Sequence, residues 1–309
     1  MDRDKLKGHI LILIANILFG ISMPIFKYLL SLGVPPEAIT IMRSAFACVM
    51  FWFISLFTTK EKVLPKDFGK LFIYALCGVG LNQLLFVIGL NSSSPVDASI
   101  IATASPIFVL LLAALILKEQ ITVKKSIGVV MGVCGGLLLI FASAHSAGNG
   151  SNLKGDILMI VNYLMYSIYL VLSKPLSLHY SSITMMKWMF LFSTLALSPF
   201  CFKYLFDIPI FQRESCDFLE LGALFYLLFG ATFLAFMLIP MSLKRIRSTT
   251  VSMYNYVQPI IASLITIMIG LDTISWQKTL SAILVFVGVY LVTQSKSKNS
   301  LERGFQHLQ

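Results

Sequence analysis

Long apolar stretches follow one another along almost the whole chain, broken only by short polar segments rich in Lys, Ser, Gly and Pro. A stretch of about 20 apolar residues rising 1.5 Å each spans the hydrocarbon core of a bilayer, so the pattern predicts membrane-crossing helices. They cover 8–30, 36–57, 69–90, 95–117, 125–142, 155–173, 183–205, 218–243, 248–270 and 276–293, ten in all. The fold class expected is an all-α polytopic membrane protein.

The fourth stretch, VDASIIATASPIFVLLLAALIL at 96–117, carries one charge at its start and Pro106 in its middle, and it has an echo 153 positions later. The shift lays Ser99 on Ser252, Pro106 on Pro259, Ile107 on Ile260, Leu111 on Leu264 and Glu119 on Asp272. It also lays Ile121 on Ile274, Lys125 on Lys278, Gly135 on Gly288 and Leu138 on Leu291. Collinear matches over such a length mark two related halves. With other offsets, Gly8–Lys27 aligns with Gly155–Lys174, and Thr40 and Arg43 align with Thr184 and Lys187. The expected units are 1–147 and 148–295, each of five helices, followed by a cytoplasmic tail at 296–309. The seam lies in the loop SAHSAGNGSN.

Composition fits this picture. Residues are 57% hydrophobic and 12% charged, with a mean hydropathy of +0.85, which leaves too little polar surface to coat a soluble globule. The net charge of +10 does not form a nucleic-acid patch, because the basic residues are scattered through loops between apolar runs. With both termini cytoplasmic, seventeen Lys and Arg face inward, and only Lys154, Lys203, Arg213 and Lys278 face outward. The positive-inside rule selects that orientation. Five crossings per half is an odd number, so the second half enters the membrane inverted, an arrangement suited to alternating access. The first apolar run is too long for a signal-peptide core and no small-residue cleavage site follows it, so it is expected to be retained. A multi-pass protein of the plasma (inner) membrane is expected, with the lipid bilayer and a small-molecule substrate as its partners.

The doubled five-helix pattern, the paired Pro106 and Pro259, and the acidic residues Glu119 and Asp272 closing those helices carry a resemblance. The chain resembles ten-helix EamA-type permeases of the drug/metabolite transporter superfamily. Those commonly place a Glu, a small hydroxyl residue and a Gly-rich fifth helix after the fourth helix. Here the stretch reads KEQIT followed by Gly128, Gly132, Gly135 and Gly136, whereas the second half has Asp272 and keeps only Gly288. The resemblance implies a central cavity lined by the first, third, fourth, sixth, eighth and ninth helices, and transport of small metabolites.

Polar side chains at membrane depth are unfavourable unless they face protein or water. Asn16, Gly20, Met23 and Lys27 share one face of the first helix, and Asn162, Tyr166 and Tyr169 share one face of the sixth. Asn82 and Gln83 lie in the third helix, and Tyr254, Asn255 and Gln258 precede Pro259 in the ninth. These amides and phenols either converge on a solute, offering donors and acceptors without fixed charge, or join helices by interhelical hydrogen bonds. The substrate-binding candidates are Asn16, Asn82, Gln83, Asn162, Tyr166, Tyr254, Asn255 and Gln258. Pro106 and Pro259 each free a carbonyl one turn earlier, at Ala102 and Asn255, and are the hinge candidates; Pro24 and Pro240 have no repeat partner.

Among charged candidates, Lys27, Arg43 and Lys187 either snorkel to the interface, bind lipid phosphate or attract a substrate carboxylate. Glu119 and Asp272 close their helices, and all 14 acidic residues lie at span ends or in loops. The four His also avoid mid-span, so a midplane proton relay is not expected and facilitated diffusion or exchange is the simpler mechanism. Without paired Lys and Arg in the polar stripes, a neutral or zwitterionic metabolite fits better than a sugar phosphate. The glycines at 128, 132 and 135 or 136 give a small-residue face for packing within the bundle or between copies.

The five Cys lack metal-ligand spacing and read as apolar fillers. No HExxH, Walker loop, GxSxG or acidic cluster occurs, so an enzyme, a metal site and a cofactor are not expected. The favoured function is export of an amino-acid-like or drug-like metabolite. The alternatives are a flippase for a lipid-linked or amphiphilic molecule, and a membrane sensor or scaffold subunit that does not translocate.

Overall fold

The computed structural model describes residues 3–92, 101–143, 153–208, 217–268 and 276–294. Its helices are α1 Arg3–Ser31, α2 Pro36–Ser55, α3 Pro65–Ser92, α4 Ile101–Ile116 and α5 Val123–Ser143. They continue with α6 Leu153–His179, α7 Ser182–Cys201, α8 Phe218–Leu243, α9 at 248–268 and α10 Trp276–Gln294. Among the described residues no strand occurs. Seven of these helices, α1, α2, α3, α6, α7, α8 and α10, are long and apolar enough to cross a membrane, and the other three predicted spans correspond to α4, α5 and α9. Asp97 and Asp272 lie outside the described residues.

Local chemistry sets the helix ends. Gly33 is left-handed (φ 82°) and closes α1 with Gly33 N–H donating to Leu30 O and Val34 N–H to Leu29 O, a Schellman turn. Pro36 then opens α2 at a position where no backbone donor is needed. The predicted start of α1 is five residues late, because Arg3 to Lys7 extend the helix beyond its apolar stretch. Likewise α6 runs on past residue 173 to His179, tolerating Pro175 near its end.

The packing has a regular plan. α1 lies against α8 and α9, while α6 lies against α3 and α4. α2 packs on α7 and on the middle of α8, α3 also meets α7, and α5 pairs with α10. At the α5–α10 crossing an added Cβ on Gly128 would lie 2.7 Å from Gly288 O, and one on Gly288 would lie 2.6 Å from Gly128 O. The small-residue face of α5 is therefore occupied within the chain. Outward faces carry Val49, Phe53, Phe57, Leu115, Val130, Phe200, Phe286 and Tyr290, all exposed, as a lipid-facing surface requires.

Two apolar clusters divide the interior along the helix axes. One, toward the chain's N-terminus, joins Ile12 and Ala15 of α1, Ala47 and Phe51 of α2, Leu71 to Val79 of α3, and Phe233 to Leu243 of α8. The other, toward the opposite end, joins Phe26 and Leu29, Ala38 and Ile39, Val87, and Leu224 to Ala231 of the same four helices. Asn16, Arg43, Asn82 and Gln83 lie between them.

Candidate functional site

The gap between the two clusters is a polar layer. On α1 it holds Asn16 and Gly20, on α2 Arg43 and Ser44, on α3 Asn82 and Gln83, and on α8 Thr232; all these polar side chains are buried. Asn162 of α6 and Ser193 of α7 join it through hydrogen bonds. Buried polar groups at this depth need internal partners, and the layer divides sharply between those that have them and those that do not.

Arg43 is only 3% exposed, so its guanidinium does not snorkel to the interface. Its Nε donates to Thr232 Oγ1 at 2.6 Å, and its Cζ stands 4.8 Å from the centre of the Phe26 ring. Thr232 was not singled out by sequence reasoning, and its role follows from an irregularity of α8. Residues Tyr226–Leu234 form a π-helical stretch, which brings the carbonyl five residues back within reach of the threonine hydroxyl. Thr232 Oγ1 accordingly donates to Leu227 O at 2.7 Å while accepting from Arg43.

No carboxylate of the described residues lies within ion-pair distance of Arg43. Removing a cation from water costs several kcal/mol. A charge-assisted hydrogen bond contributes about 1.5–3 kcal/mol and a desolvated cation–π contact about 2 kcal/mol, so these two offset only part of that cost. Among the described residues, Nε is the one guanidinium nitrogen with a hydrogen bond.

The neighbouring amides on α3 differ completely. Asn82 Nδ2 donates to Asn162 O at 2.8 Å and Asn162 Nδ2 donates back to Asn82 O at 2.7 Å, a reciprocal clasp between α3 and α6. These two candidates serve interhelical bonding. Gln83, 4% exposed, has neither a donor for its Oε1 nor an acceptor for its Nε2. Asn82 is placed for its clasp by the close packing just before it. The Tyr169 ring rests on Gly78, and a Cβ on Gly80 would lie 2.7 Å from Ser193 Oγ.

On α9, Gln258 Nε2 donates to Asn16 Oδ1 at 2.7 Å, and Asn16 Nδ2 donates to Ile12 O. Asn255 Nδ2 reaches Ser105 Oγ of α4 at 3.4 Å, leaving its buried Oδ1 without a partner. Tyr254 Oη is 3.0 Å from His9 Nδ1, a histidine the sequence reading set aside as lying near a span end. Tyr166 is half-buried with its ring 6.1 Å from that of Tyr169. The two helices that carry the hinge candidates are irregular: α4 is interrupted at Ala104, two residues before Pro106, and α9 tightens to a 3-10 turn at Tyr254–Tyr256 before Pro259.

The remaining charged candidates lie outside the layer. Lys27 is exposed, and Lys187 is half-buried with Nζ 5.2 Å from the centre of the Trp52 ring. At the N-terminal end of the bundle, Glu119 Oε2 accepts from Lys125 Nζ and Thr249 Oγ1, both at 2.8 Å, tying α4 to α5 and α9. Beside it Lys174 Nζ donates to Leu243 O and Ile246 O, capping α8. Near this end Glu61 Oε2 accepts from Ser181 N–H and Oγ–H, both at 2.9 Å, at the start of α7. Burial would raise the Glu61 pKa, but hydrogen bonds from Thr184 and Ser181 and the Lys244 charge together hold it below the usual carboxylate range.

Comparison with known proteins adds a second line of argument. The profile of the EamA-like transporter family matches residues 6–141 and 153–294. An uncharacterized transporter of Archaeoglobus fulgidus is 24% identical over 292 residues, covering 94% of this chain and 100% of its own. YyaM of Bacillus subtilis, described as an uncharacterized transporter, is 26% identical, with coverage of 91% and 92%. The WAT1-related protein At1g43650 of Arabidopsis thaliana is 21% identical, with coverage of 94% and 92%. One crystal structure, 18% identical, superposes with a TM-score of 0.74 over 94% of this chain and 98% of its own, a likeness of fold.

Proposed function

The chain belongs to the EamA-like transporter family, and from that premise we propose a secondary transporter moving a small neutral or zwitterionic metabolite out across the plasma (inner) membrane by alternating access. The observation that carries this reading is a set of buried polar groups without partners among the described residues, Gln83 Nε2 and Oε1 and Asn255 Oδ1, together with a buried Arg43 whose guanidinium is engaged only through Nε. Buried polar groups left open in a membrane bundle mark a place where a solute completes the hydrogen bonding. Gln258 and Asn16 hold α9 on α1, and the Asn82–Asn162 clasp keeps α3 and α6 together.

Ten crossings in two inverted halves, 1–147 and 148–295, are part of the proposal. Its support is the behaviour of contacts under exchange of the halves. The Gly128–Gly288 approach becomes Ser281–Gly135 on shifting by 153, and Ser281 Oγ donates to Gly135 O at 2.5 Å. Gly20 against Gln258 O becomes Ser167 against Ser105 O, at 3.4 Å. Alternating access then exchanges the two arrangements, with flexing at Pro106 and Pro259. Glu119, Lys125, Thr249 and Lys174 form the closure on the cytoplasmic side, where both termini are proposed to lie.

Counterflow in proteoliposomes against amino acids, sugars, nucleosides and cationic dyes tests the reading. Accelerated exchange of at least one class, without a pH gradient, is the expected result. Solute binding with no flux in either direction would instead make the protein a membrane sensor.

A further inference from the structure

We propose that Arg43 and Gln83 form an anion subsite that receives a carboxylate, so that the solute is a carboxylate-bearing zwitterion or monoanion and not a neutral or cationic molecule. The inference rests on the transport reading for calling the ligand a transported solute; the subsite itself is argued from the local chemistry. Arg43 and Gln83 share the polar layer, on α2 and on the second half of α3, which pack directly together. Phe26 lies beneath the guanidinium, and its ring is 5.8 Å from that of Phe86, one turn beyond Gln83.

Among the described residues one edge of the guanidinium has no hydrogen-bond partner. Phe26 covers a face and Thr232 takes Nε, so the two terminal nitrogens remain to donate, and those are the groups that meet a planar carboxylate as a fork. Gln83 Nε2 adds a neutral donor, and its Oε1 can accept from a protonated amine carried by the same molecule. No described carboxylate neutralises the cation, so the layer repels cationic solutes. A single guanidinium balances one negative charge, which favours a carboxylate over a phosphate dianion. The repeat-equivalent Lys187 is half-buried over Trp52 and, among the described residues, does not reproduce the Arg43 arrangement.

The test uses full-length protein in detergent and in liposomes of purely zwitterionic lipid. Ligand-induced thermal stabilisation is read with the proteinogenic L-amino acids, their C-terminal amides, the corresponding amines, small monocarboxylates and inorganic phosphate. At least one carboxylate compound should stabilise the wild-type protein, with its amide binding at least 10-fold more weakly; this comparison needs no variant. Arg43→Gln should abolish the ligand-induced shift while the unliganded protein unfolds at the same or a higher temperature, and Arg43→Lys should recover part of the binding. Equal binding of acid and amide, stabilisation by phosphate alone, no binding by any carboxylate, or undiminished binding by Arg43→Gln would each overturn the subsite. Carboxylate binding that needs Arg43, but without flux, would uphold the subsite and overturn the transport reading.

Discussion

Two consecutive amides, Asn82 and Gln83, should respond to substitution with opposite signs. Asn82→Ala removes one of two buried hydrogen bonds, the 2.8 Å donation to Asn162 O, and leaves the 2.7 Å bond from Asn162 to the Asn82 carbonyl in place. An interhelical bond of this kind contributes about 0.6–2 kcal/mol in a membrane bundle. Some cavity cost adds to that, so a loss of roughly 1–2 kcal/mol is expected. Gln83→Leu keeps the volume and removes a donor and an acceptor that have no partner. Each unsatisfied buried group costs about 1–3 kcal/mol, so this variant should be at least about 1 kcal/mol more stable than the wild type. Unfolding in mixed micelles with increasing SDS reads both stabilities, and counterflow per folded molecule reads function. Asn82→Ala should yield less folded protein of normal specific flux, and Gln83→Leu more stable protein of much lower flux. If Gln83→Leu destabilises as much as Asn82→Ala, the unpartnered amide is a structural element and the reasoning fails.

Three further outcomes are expected. Gly128→Leu drives a side chain into the α10 backbone, where even a Cβ comes within 2.7 Å of Gly288 O; overpacking of this kind costs roughly 1–3 kcal/mol, readable as a lower unfolding midpoint. Glu119→Gln weakens the tie between α4, α5 and α9, so a cysteine placed by Thr250→Cys in a background free of native cysteines should react faster with an impermeant maleimide; an unchanged rate would exclude a closure at this end. Glu61 has a folded-state pKa below its unfolded value, so its contribution is present above the ordinary carboxylate pKa of about 4.3 and is lost as pH falls through the lower folded value. Thermal stability should therefore drop in that acidic window, and Glu61→Gln should flatten this part of the profile.

The all-helical, apolar character of the bundle was legible because apolar run length is a property of the chain itself. The helix breaks beside Pro106 and Pro259 were also legible, since a missing N–H acts locally. The sorting of the polar residues was not. Asn82 and Gln83 are adjacent and chemically alike, yet one meets a carbonyl 80 positions away and the other meets nothing, a difference that only the packing of α3 against α6 decides. In the sequence Arg43 stands deeper in its span than Lys27 or Lys187, yet it is a candidate for either the interface or a ligand. What buries it is Phe26 from α1 and a threonine presented by a π turn, and no local sequence rule announces that turn.

The near-contact of backbones where α5 meets α10 has a mechanical consequence. Two rods touching through glycines, with Ser281 bonded across to Gly135, have no slack in which to slide or separate. Under the proposed alternating access, the pair should behave as a single stationary post. Spin labels on its two members should thus report one sharp distance whether or not a solute is bound, while distances from the post to α1 or α6 change.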